Sequence, residues 1–210
     1  MVKMEENLQF YYKKVISVPY IQLEEETASY YTEKVEDTLY IYLECSNGKT
    51  DWKNNLDFPA KPYGDMKHRW YVHRGFLKVW KVIRDQIKEI IQDISLKRIV
   101  IVGYSHGAAL AVLCHEYCVF NRQDIKDNIF GYGFGCPRVV WGILKKSIKD
   151  RFKNFRVIRN HNDIVTHVPP KIFLFRHVGK MLKIGKNKEW NPVDSHRPQN
   201  YTESLREENL

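Results

Sequence analysis

The chain has 210 residues, 43% of them hydrophobic and 28% charged, which excludes global disorder and allows one sizeable core. Its formal net charge is +9, and no apolar run reaches the ~18 residues of a membrane-spanning helix. The charge is unevenly placed: residues 142–190 hold thirteen Lys and Arg against three acids, while Glu24, Glu25, Glu26, Glu33, Glu36 and Asp37 make the early part acidic. A basic lobe suits an anionic partner such as a phospholipid surface, nucleic acid or an acidic substrate; it also suits a merely solvated face. The start of the chain lacks an apolar signal core, so a cytoplasmic setting with reduced cysteines is expected, with another export route left open.

No repeat, low-complexity tract or Pro/Gly/Ser-rich linker interrupts the sequence, and a single domain over residues 1–210 is expected. Residues 38–45 (TLYIYLEC) alternate and read as a strand. Residues 47–72 are too long for a simple connection and hold Trp52, Leu56 and Phe58; they read as a lid with acyl contacts or as a static cover. Residues 75–95 place Phe76, Val79, Trp80, Ile83, Ile87, Ile90, Ile91 and Ile94 at helical spacing. The run RIVIV at 98–102 predicts a strand buried on both faces. An Ala-rich helix follows over 105–120, then a strand over 128–134, a helix over 139–151 and a strand over 155–159. Residues 180–188, short and holding Gly185, read as a loop. This alternation predicts an α/β fold with a mostly parallel sheet covered on both faces. Functional loops should then follow Cys45, Val102, Gly135 and Asn160, at strand carboxyl ends.

The sharpest motif is Gly103-Tyr104-Ser105-His106-Gly107, set between a buried strand and a helix. In that context G-x-S-x-G is a nucleophile elbow, a tight turn that lifts the serine hydroxyl out of the sheet. Glycines leave room for backbones that a Cβ would strike, and the helix start places N–H groups near a developing oxyanion. A nucleophilic Ser105 needs a base and an orienting acid later in the chain. His161, His167, His177 and His196 are the candidate bases, whereas His115 lies too far along the serine's own helix. Asp163, just past FRVIRN, is the better placed acid, and Asp194 is its rival. Cys114, His115 and Cys118 share a helix but lack a second ligand pair, so they read as packing groups rather than a metal site.

The segment GYSHGAALA at 103–111 resembles the nucleophile region of the class 3 lipases, the fungal-lipase-like α/β-hydrolases. Further pieces are similar in order: Trp52 with Asn55-Leu56, Val72-His73-Arg74-Gly75-Phe76, Gly133-Phe134-Gly135-Cys136-Pro137-Arg138-Val139, residues 156–170, His177-Val178-Gly179, and Asp194-Ser195-His196 with Tyr201. The resemblance implies an α/β-hydrolase with Ser105 as nucleophile, His196 as base and then acid, and Asp163 as its orienter. It implies an oxyanion hole from the N–H groups of His106 and Ser46. The family usually has Arg-Gly before that second residue, and this chain has Glu44-Cys45.

The activity so implied is hydrolysis of carboxylic esters of lipids by an acylglycerol lipase or esterase, with phospholipase A1-like activity as a near variant. No cofactor is implied. A lipid or small ester is the expected substrate and an anionic membrane surface a possible partner; nucleic acid is not the expected one. The second reading is a catalytically impaired hydrolase-fold protein, its turnover spoiled by Glu44-Cys45, that binds anionic membrane or nucleic acid through the basic lobe.

Overall fold

A computed structural model describes residues 7–23, 28–44, 59–64, 69–186 and 190–209. Among the described residues the main sheet has seven strands: β1 (Ile21–Gln22), β2 (Ser29–Val35), β3 (Thr38–Leu43), β6 (Arg98–Tyr104), β7 (Ile129–Phe134), β9 (Phe155–Asn160) and β11 (Lys180–Ile184), in that spatial order. From β3 to β11 every pairing is parallel, while β1, β2 and β3 pair antiparallel. A second sheet holds β4 (Ala60–Tyr63), β5 (Trp70–His73), β8 (Val140–Trp141) and β10 (Phe175–Arg176), ordered β10-β8-β5-β4.

The buried strand reading of 98–102 follows from a core on each face of the main sheet. Ile99 and Ile101 join one cluster, with α2 (Arg74–Ile90) and α3 (His106–Asn121). Val100, Val102 and Tyr104 join the other, with α1 (Leu8–Val15) and α5 (Pro198–Glu207). Alternate residues of one strand thus feed opposite layers, as the pleat requires. Among the described residues no helix is long and apolar enough to cross a membrane.

Several expected elements differ. The helix over 75–95 ends at Ile90, because Asp93 accepts both the backbone N–H (2.9 Å) and the hydroxyl (2.7 Å) of Ser95 and closes a turn. Ile94, counted in the apolar stripe, is therefore 88% exposed. The helix over 139–151 is broken: Val140 and Trp141 pair with β5 and β10. Gly142 then turns the chain at φ 76°, and only α4 (Lys146–Lys149) is α-helical. Residues 180–184 are strand rather than loop, since β9 offers them a parallel edge over five residue pairs. Within 47–72, residues 60–63 and 70–72 belong to the second sheet's antiparallel pair. Ser46, Cys45, Trp52, Leu56 and Phe58 lie outside the described residues, as does the lid reading that used them.

His115 shows what the core costs a titratable group. Its ring lies 6.0 Å from that of Phe152 and 5.3 Å from that of Phe155, and Nε2–H donates to the Arg151 carbonyl at 3.1 Å. Burial pushes the imidazole down to about 4, against ~6.5 in an unfolded chain. His177 is lowered to about 4 for the same reason. Between those values the unfolded chain binds more protons, so stability falls as the pH drops through 6.5 toward 4. The full effect at His115 is on the order of 3 kcal/mol. Urea midpoints should fall over this window, and less steeply in His115→Gln; coincident slopes for the two proteins would refute the assignment.

Candidate active site

Three segments converge at the carboxyl ends of the parallel strands. Beyond β6 the chain turns sharply at Ser105, whose φ of 56° and ψ of −118° lie in a region non-glycine residues rarely occupy. The turn is held by the Ser105 N–H donating to the Phe134 carbonyl at 2.8 Å. α3 starts one residue later, so the His106 N–H belongs to its first turn. The two motif glycines are sterically required. A Cβ on Gly103 would stand 2.1 Å from the Gly107 carbonyl oxygen, and one on Gly107 would stand 2.1 Å from the Leu43 carbonyl oxygen.

Asp163 follows the end of β9 and is fully buried. Its Oδ1 accepts the Val165 N–H at 2.8 Å. Its Oδ2 faces His196 Nδ1 at 2.8 Å, and His196 Nε2 lies 2.9 Å from Ser105 Oγ. The carboxylate only accepts, so the proton sits on Nδ1 and Nε2 is left to accept from the serine hydroxyl. Hydrogen bonding thus runs unbroken from a buried carboxylate to a hydroxyl at the head of a helix, across sequence separations of 33 and 91 residues. This arrangement can generate an alkoxide-like nucleophile and return the proton to a leaving group.

Residues 40–173 match the lipase (class 3) family. The chain belongs to that family. A lipase of Rhizomucor miehei is 28% identical over 158 residues, covering 72% of this chain and 43% of that protein. A triacylglycerol lipase of Nicotiana tabacum is 32% identical over 107 residues, 47% of this chain and 18% of the other. The chain therefore spans less than half the length of these curated relatives. Among solved structures, the Rhizomucor miehei triacylglyceride lipase superposes with a TM-score of 0.68 at 22% identity, over 89% of this chain and 83% of that one. Lipase II of Rhizopus niveus gives 0.69 at 21% identity, over 80% and 65%. The fold is that of the α/β-hydrolases.

In this member of the class 3 lipase family, groups beyond the three convergent side chains hold the constellation. The Tyr201 hydroxyl, from α5, donates to Asp163 Oδ2 at 2.7 Å and accepts the Asn160 N–H at 3.1 Å. Burial, then the nearby carboxylate, raises this phenol, which stays protonated and donates. The Asn160 side chain donates to the Ser195 carbonyl at 3.0 Å and accepts from the Ser204 hydroxyl at 2.8 Å. Tyr104 stacks on the His196 ring, with centroids 5.2 Å apart, and its hydroxyl donates to the His196 carbonyl. Gly135 leaves space: a Cβ there would meet His196 Cε1 at 2.8 Å and Asp163 Oδ2 at 3.0 Å. The supporting roles of Tyr104, Asn160 and Tyr201 escaped the sequence reading. The position of Tyr201 five residues beyond His196 was its only trace.

The other candidates lie elsewhere in the network. Asp194 is bound to Arg197 Nε at 2.8 Å and to the Asn191 amide at 2.6 Å. His167 meets the Asp163 backbone carbonyl at 2.9 Å, and His177 the Thr166 carbonyl at 2.8 Å. His73 caps α2, accepting the Phe76 N–H at 3.4 Å and stacking on the Phe76 ring at 4.0 Å. The His106 ring packs edge-on to that same phenyl. Cys114 and Cys118 are buried in the core. The backbone of Glu44, the last described residue before Ser46, reaches the elbow: its carbonyl oxygen would lie 2.6 Å from a Cβ on Gly107.

Proposed function

We propose that this class 3 lipase hydrolyses carboxylic esters of acylglycerols by acyl transfer through Ser105, with one α/β-hydrolase domain carrying the reaction. The hydrogen-bonded run from Asp163 through His196 to Ser105 is the observation that carries this reading. The serine oxygen attacks the ester carbonyl carbon as its proton passes to His196 Nε2. Collapse of the tetrahedral species breaks the bond to the alcohol oxygen, which takes that proton. Water then repeats the sequence on the acyl-enzyme: its proton goes to His196, the ester bond to Ser105 breaks, and the proton returns to the serine oxygen. Asp163 holds the imidazole in the productive tautomer and stabilises its cationic form. The backbone N–H groups of His106 and Ser46 are the proposed oxyanion donors.

The family membership supports this reading. So does the fold shared with a triacylglycerol lipase whose catalytic centre is formed by a serine protease triad. Phospholipase A1-like cleavage is the nearest variant within the same chemistry, and the basic residues between 142 and 190 favour an anionic lipid interface. A fluorophosphonate probe should label the protein once, with the adduct on the peptide containing Ser105. A folded protein that resists labelling in the presence of lipid would overturn the hydrolase reading.

A further inference from the structure

A cavity of about 370 Å³ opens where the segment after β8 passes the amino ends of β9 and β11. Ser105 and His196 lie at the opposite, carboxyl ends of the parallel strands, and neither lines this cavity. Lys149, Lys153, Arg176 and Lys180 stand around it, and no carboxylate does among the described residues. Lys153 is paired with Asp127. Lys149, Arg176 and Lys180 are exposed and form no ion pair with a described carboxylate. Beneath them Leu144, Phe152 and Val178 are buried apolar lining, with His177 half-buried beside them.

Beside these cations stand exposed apolar side chains, Ile143 in the lining and Ile172 in a neighbouring turn. Ile143 and Ile172 are each 83% exposed. The Gly142 N–H donates to the Leu174 carbonyl at 2.9 Å, which sets Ile143 beside the 172–174 turn, where Leu174 is 47% exposed. Val168, Ile164 and Val193 are further exposed apolar side chains, in the segments that carry Asp163 and His196. Water solvates such branched side chains poorly, and isolated cations over an apolar floor call for an anion that also brings hydrocarbon. A free phosphate meets only half of that requirement, and an anionic phospholipid meets both.

We propose that this face docks an anionic phospholipid at a membrane surface. The headgroup phosphate enters the cavity between Lys149, Arg176 and Lys180, and Ile143 and Ile172 enter the acyl layer. The proposal rests on the lipid-ester reading for the purpose of docking, which holds the protein at a surface that carries lipid esters.

Binding can be read apart from turnover by using the full chain carrying Ser105→Ala, with phosphatidylcholine vesicles with and without phosphatidylglycerol. Co-sedimentation should require phosphatidylglycerol and weaken in high salt. Lys149→Glu with Arg176→Glu should weaken it about 20-fold or more, and Ile143→Ser with Ile172→Ser should also lower it. With Ser105 restored, both double variants should cleave a water-soluble short-chain ester at the wild-type rate. Equal binding to neutral vesicles, or undiminished binding by the charge-reversed variant, would overturn the proposal. So would inorganic phosphate shifting resonances of the lining residues while no vesicle binds. Vesicle binding together with an inert soluble-ester assay would leave docking intact and sink the hydrolase reading instead.

Discussion

Ester turnover by Ser105→Ala is expected to fall by about 10⁵- to 10⁶-fold, to the level left by binding and oxyanion stabilisation alone. Alanine removes the oxygen proposed to attack the ester while keeping the backbone of the elbow, whose N–H still bonds the Phe134 carbonyl. The fold should therefore be unchanged, with kcat lost and substrate binding largely retained. Asp163→Asn should cost about 10⁴-fold. An amide at 163 has one acceptor oxygen, yet the site presents three donors: the Val165 N–H, the His196 Nδ1–H and the Tyr201 O–H. The imidazole would turn toward the wrong tautomer, and a buried donor would go unpaired. Hydrolysis of a soluble ester with circular dichroism as the folding control decides both. A Ser105→Ala protein retaining a substantial part of wild-type turnover would remove Ser105 from the chemistry.

Gly107→Ala, like Gly103→Ala, should damage the elbow severely. The new Cβ would lie 2.1 Å from the Leu43 carbonyl oxygen, 2.6 Å from that of Glu44 and 2.7 Å from the Leu43 carbonyl carbon. All three atoms are backbone, so no side chain can rotate away. Either α3 must lift off the sheet or the end of β3 must move, and β3 is fastened to β6 along its whole length. We expect a loss of about 3 kcal/mol or more, which for a chain of this size lowers Tm by about 6–12 °C. Activity should fall in the surviving folded fraction as well, because the same shift displaces the segment leading to Ser46. Thermal unfolding within a degree of wild type would show that the contact between elbow and β3 is looser than this geometry requires.

Residues that act through near neighbours were legible before any fold was known. The RIVIV run announced a doubly buried strand, because each alternate residue needs its own apolar layer. G-x-S-x-G between that run and an Ala-rich helix announced the elbow, because only glycine tolerates the close approaches at 103 and 107. Local patterns misled where a partner strand overrode them. Apolar spacing over 139–151 resembled a helix, but β5 and β10 captured Val140 and Trp141. Residues 180–184 looked like a loop until β9 supplied a parallel edge.

The sequence by itself determined the chemical inventory: one serine at a strand-to-helix turn, several histidines, two carboxylates in competing positions, and cations crowded into residues 142–190. Residue patterns alone ranked Asp163 above Asp194 but left four histidines open, because sheet register and loop path set distances between groups 33 and 91 residues apart. Only the tertiary structure decided that Asp163 faces the ring of His196 while Asp194 turns to Arg197. It also decided that Tyr201 reaches back from α5 to hold that carboxylate. Hydrogen bonds and steric exclusion operate over a few ångströms, a scale on which chain order carries no information until folding has brought the segments together.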